Sequence, residues 1–153
     1  MANVKSTKMA NLLFGVPLSI WYDWKNDGPD PAEREHNFGT VTAGLKPKPA
    51  YLAIQTLTRQ LGGYRISRRL SVGDENDFVL LCANDAGRQA ITAWSSGDPH
   101  TLRVELAINP PRRLTGVNSD GTSFVPKTEA GALLLELTGA PQYVKLGEKD
   151  LIR

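Results

Sequence analysis

Trp21, Asp23, Trp24 and Asp27 fall within seven positions of one another, and Glu33, Glu35 and His36 follow closely. Indole rings beside carboxylates suit one kind of ligand. The C–H face of a pyranose stacks on an aromatic plane while its hydroxyls reach charged oxygens. Trp21, Asp23, Trp24 and Asp27 are therefore the candidate substrate-binding residues. Asp23, Asp27, Asp30, Glu33, Glu35 and His36 together place six carboxyl or imidazole groups within fourteen positions. Two carboxyls held roughly 5–10 Å apart can act as general acid and base. Glu33, Glu35 and His36 are the candidate catalytic groups, and one of them would need a pKa raised toward neutrality. The same oxygens can ligate a hard cation, but Pro29 and Pro31 interrupt the regular spacing of an EF-hand loop, so no metal is assigned. The competing reading is a solvated acidic loop, with Glu35 or His36 holding the chain in place and the tryptophans packed under a helix.

These residues need elements to position them. Val16 to Tyr22 is apolar on both faces, the pattern of a buried strand in a helix-covered parallel sheet. At a strand end, Trp21 and Asp23 would share one face and Tyr22 and Trp24 the other. A polar loop follows from Asp23 to Thr42, long enough to suggest a functional segment. Pro49 then suits a first helical turn, and Ala50, Ile54, Leu57 and Leu61 recur on one face before Gly62-Gly63 stops the helix. Residues 1–63 thus read as one β/α unit: strand, long loop, helix.

Residues 64–153 change period. Short candidate strands are separated by turn signals: Tyr64–Leu70, Asp77–Ala83, Gln89–Ser95, Thr101–Ala107, Arg113–Val117, Ser123–Pro126, Ala132–Thr138 and Gln142–Leu146. Leu102, Val104 and Leu106 alternate with Arg103 and Glu105, and the run Leu133 to Leu135 marks a central strand. The fold class expected is mainly β, an antiparallel β-sandwich of about eight strands preceded by one β/α unit.

The composition closes several routes. The 153 residues are too few for a complete (β/α)8 barrel, which takes roughly 200 or more. The net charge of +2 is small. Arg65, Arg68, Arg69, Arg112 and Arg113 can form a basic stripe, but no RNP-type aromatics accompany them, so no nucleic acid is expected. Neither glycine-rich phosphate motif occurs, and no cofactor is expected. Lone Cys82 excludes an intrachain disulfide and reads as a small core residue, while His100 reads as exposed turn surface. Met9 to Tyr22 lacks a clean signal-peptide cleavage site and is too short to span a bilayer as a helix. No membrane partner is expected, and the compartment stays open.

Three ordered blocks carry a resemblance: Gly15 to Gly28 (GVPLSIWYDWKNDG), Glu33 to Gly39 (EREHNFG) and Lys46 to Tyr51 (KPKPAY). Together they resemble the C-terminal end of clan A glycoside hydrolases, of the family 39 type and the cellulase-like family 5 type. The resemblance implies an eighth barrel strand that carries a Trp into the sugar site, a long loop, a barrel-closing helix and then an accessory β-sandwich. It also implies that the clan's acid/base Glu, usually within Asn-Glu, and its nucleophile Glu would precede Met1. No Asn-Glu dipeptide occurs in the chain.

Two functions follow as expectations. One is a glycosidase that works through the aromatic and acidic loop. The other is a non-catalytic accessory or glycan-binding module of a larger glycosidase. Carbohydrate is the partner in both. A barrel strand without its neighbours leaves an apolar surface around Leu12–Tyr22, so a homo-oligomer, a dimer, is expected as well.

Overall fold

The computed structural model describes residues 4–16, 18–107 and 114–147. The start of the Arg113–Val117 strand, Pro17 and part of the arginine stripe lie outside the described residues. A first helix, α1 (Val4–Leu13), precedes an irregular segment and a single 3-10 turn at Glu35–Asn37. Helix α2 (Pro49–Leu61) follows, with Pro49 at its first position and extended Lys48 before it. Proline loses nothing there, because its missing N–H has no intrahelical partner in that turn.

Among the described residues nine strands follow: β1 (Tyr64–Arg69), β2 (Asp77–Asn84), β3 (Gln89–Ser95), β4 (His100–Glu105), β5 (Thr115–Asn118), β6 (Ser123–Phe124), β7 (Lys127–Glu129), β8 (Ala132–Leu137) and β9 (Gln142–Gly147). The larger sheet runs β1-β2-β3-β9-β5-β6 and the smaller β4-β8-β7. Each pair of neighbouring strands is antiparallel. This is the expected sandwich, with β7 as a short addition. The Leu133–Leu135 run sits in the middle strand of the smaller sheet, as its two apolar faces required.

Alternation sorts the larger sheet into two cores. Val79, Leu81, Ile91, Ala93 and Val144 face the smaller sheet, where Val104, Leu133 and Leu135 meet them. Leu80, Cys82 and Trp94 face the other way, against Met9 of α1 and Leu57 and Leu61 of α2. β2 is therefore covered on both sides, which explains its unbroken apolar run. Phe78 and Trp94 stand opposite each other on β2 and β3 with parallel rings 4.8 Å apart. The helical layer is fixed by Lys145 of β9, whose ammonium lies 4.0 Å from the Tyr64 ring centroid and donates to the Gln60 carbonyl near the end of α2. The buried residues of α2 are Ala53 and Thr56, so small side chains form the line of closest approach. Ala50, Ile54, Leu57 and Leu61 flank it half-buried.

The lead-in differs from expectation. Among the described residues of 16–22 none forms a ladder, and Leu18 and Ile20 are 70% and 86% exposed. A parallel strand needs neighbours to take its N–H and C=O groups, and this fold supplies none beside that segment. The nearest approach to a barrel-like pairing is one parallel bridge, Lys25 to Val41, continued by an antiparallel bridge from Val41 to Pro47. No helix among the described residues is long and apolar enough to cross a membrane.

Candidate functional site

The loop from Asp23 to Lys48 contains little regular structure, so irregular backbone pairs and side chains together satisfy its backbone. Lys48 is the hub. Its Nζ donates to Asn26 Oδ1 at 3.0 Å and to the Asn37 carbonyl at 2.8 Å. Asn26, buried, donates from Nδ2 to Asn37 Oδ1 at 3.1 Å. Asn37 Nδ2 in turn donates to the carbonyls of Asp30 and Glu33 at 2.8 and 2.7 Å. The Trp24 carbonyl accepts from the Thr40 and Val41 amides and from Thr40 Oγ1. Two glycines permit the close packing. A Cβ on Gly39 would lie 2.2 Å from the Asn26 nitrogen, and one on Gly28 would lie 2.4 Å from the His36 ring. Asn26, Asn37, Thr40 and Lys48 belong to no catalytic or binding motif legible in the sequence. Amides bonding to main chain carry no periodicity, and the only available signal was that a long loop must satisfy itself.

On this frame the predicted residues separate into groups. Tyr22 is 67% exposed and sets its ring edge-on to Phe38 at 6.2 Å. The charges of Asp27 and Asp23, then burial, then Glu35 push its phenol above the ordinary value of 10.0. Tyr22 is thus a neutral hydroxyl among three carboxylates, able to donate to a ligand oxygen. Asp23 is half-buried and accepts from the Trp24 amide through Oδ1, while its own amide donates to the Phe38 carbonyl. Trp21 donates from Nε1 to the same carbonyl at 3.3 Å and remains 40% exposed.

Trp24 belongs elsewhere. Its ring meets Tyr51 of α2 edge-on at 5.8 Å, with 58% of the residue exposed. There it borders an open cleft of about 400 Å³ with Thr40, Tyr51, Ile54, Gln55 and Arg59. The strand-end alternation therefore fails: Tyr22 and Trp24 lie in different surroundings because the segment carrying them is not a strand.

Glu33, Glu35 and His36 occupy the 3-10 turn and its approach. Glu33 Oε1 accepts from the Glu35 amide at 3.2 Å, a local turn contact. Glu35 contributes to the field at Tyr22. His36 is half-buried against Gly28, and its Nδ1 is buried without a hydrogen bond. The charges of Asp27, Asp23 and Glu35 thus all act on the exposed Tyr22 hydroxyl. Among the described residues no group of three or more His, Cys, Asp or Glu is placed to hold a metal ion.

No family model matches the chain, and no curated protein does. A solved structure does match: a family 39 glycoside hydrolase from the gut symbiont Bacteroides cellulosilyticus WH2. The TM-score is 0.80 at 28% sequence identity, over 95% of this chain and 29% of that one. The chain is therefore similar over nearly its whole length to a family 39 glycoside hydrolase, of which it spans less than a third.

Proposed function

We propose that the chain acts as the accessory module of a carbohydrate-active protein of the family 39 type. Its sandwich carries a β/α-derived segment whose loop contacts glycan and contributes no acid/base pair. The observation that carries this reading is the likeness to a family 39 glycoside hydrolase over 95% of this chain and only 29% of the hydrolase. The loop supports it in two further ways. Trp21 and Tyr22 stand exposed beside Asp23 and Asp27, the mixture of aromatic surface and acceptors that suits a sugar. Glu33 is engaged in its own backbone turn, accepting from the Glu35 amide.

The same reading gives the lead-in a partner. Leu12, Phe14, Val16, Leu18 and Ile20 are each more than 40% exposed. Apolar residues close in sequence and exposed together mark an interaction surface. When the chain stands alone, a second copy covers it.

The test is titration of the purified chain with a panel of oligosaccharides and aryl glycosides, beside Tyr22→Ala, Glu33→Gln and Glu35→Gln. Saturable binding without turnover, lost in Tyr22→Ala and kept in Glu33→Gln, supports the accessory role. Turnover abolished in Glu33→Gln or Glu35→Gln replaces it with the loop-carboxylate hydrolase.

A further inference from the structure

His100 is exposed, as expected, but it begins β4 rather than lying in the turn, and it meets the first residue of β2. Asp77 is buried, its side chain 1% exposed, against 38% for His100. Asp77 Oδ2 accepts from the Asp74 amide at 3.1 Å and stands 3.1 Å from His100 Nε2. The other ring nitrogen, Nδ1, lies 2.9 Å from the Asp98 carbonyl. A carbonyl oxygen only accepts, so Nδ1 carries a hydrogen. The contact between Nε2 and Oδ2 then needs a second proton, on one atom or the other. Without it, the Nε2 lone pair faces a buried carboxylate.

We propose that Asp77 and His100 form a proton-dependent latch that clamps the turn before β2, in the larger sheet, to the start of β4, in the smaller. The latch is closed at mildly acidic pH and opens as the pH rises through the titration of the pair.

The surroundings are defined. From the turn before β2, Asp74 adds negative charge near the ring. β1 supplies Arg69, whose guanidinium serves the main chain: Nη2 donates to the carbonyls of Asp77 and Glu75 at 2.6 and 3.0 Å, over the Phe78 ring. β3 brings the Ser95 hydroxyl, which accepts from the Gly97 amide. β8 places Leu137 opposite His100, while its Glu136 is engaged by Thr101 at 3.0 Å and Lys127 at 3.9 Å. Asp77 is thus the carboxylate in direct contact with the ring.

The Asp98 carbonyl does most to raise the His100 pKa above 6.5; burial opposes it, and the hydrogen bond and charge of Asp77, then the charge of Asp74, add to the rise. Burial pushes Asp77 up, but the Asp74 amide, the Ser95 hydroxyl and His100 outweigh it and hold its carboxyl below 3.8. The contribution of His100 is complete below 6.5 and lost as pH climbs through its raised folded value. That of Asp77 is present above 3.8 and lost as pH falls through its lowered folded value. The latch therefore holds best between those two ordinary values.

Two measurements on the full chain test this. In an NMR titration, His100 is expected to titrate above 6.5 with both ring nitrogens protonated at pH 6. In urea unfolding at pH 6 and pH 8.5, the unfolding constant of the unmodified chain is expected to rise about tenfold for each unit by which the His100 pKa exceeds 6.5. His100→Gln should remove that rise and His36→Gln should keep it. Asp77→Asn should also remove the rise; if it does not fold, His100→Gln still decides. A His100 pKa at or below 6.5, or an undiminished rise in His100→Gln, overturns the latch.

Discussion

The sandwich and the lead-in treat apolar residues in opposite ways. In the sandwich, Leu80, Ile91, Leu133 and Leu135 are fully buried, each inserted between layers. In the lead-in, Phe14, Leu18 and Ile20 are each at least 70% exposed. The two regions have similar residue types, so composition does not separate them. The sandwich closes on itself because each of its sheets has a second layer, whereas the lead-in is an apolar surface without a second layer. Burial stabilises the first region by roughly 25 cal/mol per Å² of apolar area, and the second has that stabilisation still available to a partner.

Mutation should divide the regions most sharply at their hydrophobic residues. Leu135→Ala should cost about 2–5 kcal/mol in urea unfolding, because it opens a cavity in the main core. Ile20→Ala should change fold stability by no more than about 0.5 kcal/mol, yet shift the solution mass toward monomer in analytical ultracentrifugation. Equal costs at both sites would erase the distinction. The loop should fall between these. Lys48→Met leaves Asn26 Oδ1 and the Asn37 carbonyl without their donor, a loss of about 1–3 kcal/mol measurable by the same unfolding. At the exposed rim of the sandwich, Arg65→Ala breaks a bridge to Asp85 in which both side chains are over 80% exposed, so about 0.2–1 kcal/mol is expected. Cys82 offers a check without mutation. Burial pushes its thiol up to about 12, against a small opposing effect of Lys145, so a thiol reagent at pH 8 should react only as the chain unfolds.

The sandwich was legible in the sequence because a strand buried on one face writes alternation, as Leu102, Val104 and Leu106 do. A strand buried on both faces writes an unbroken run, as in β2. The Val16–Tyr22 run is written in the same code, but its described residues find no strand among the described residues to pair with and are irregular. The aromatic and acidic residues of the site were visible from their types. Their grouping was not, because Tyr22 and Trp24 part company through the hydrogen bonds of Phe38, Thr40 and Val41 to the backbone between them. The pairing of Asp77 with His100 spans 23 positions and arises only when β2, β3 and β4 are laid into their sheets.

The account turns on whether the loop binds glycan without cleaving it. Calorimetric titration of an oligosaccharide panel, run with product analysis on the same samples, reads both at once. The account predicts saturable binding, no hydrolysis, and loss of binding in Tyr22→Ala but not in Glu33→Gln. Hydrolysis that disappears in Glu33→Gln or Glu35→Gln, or binding indifferent to Tyr22→Ala, would contradict it.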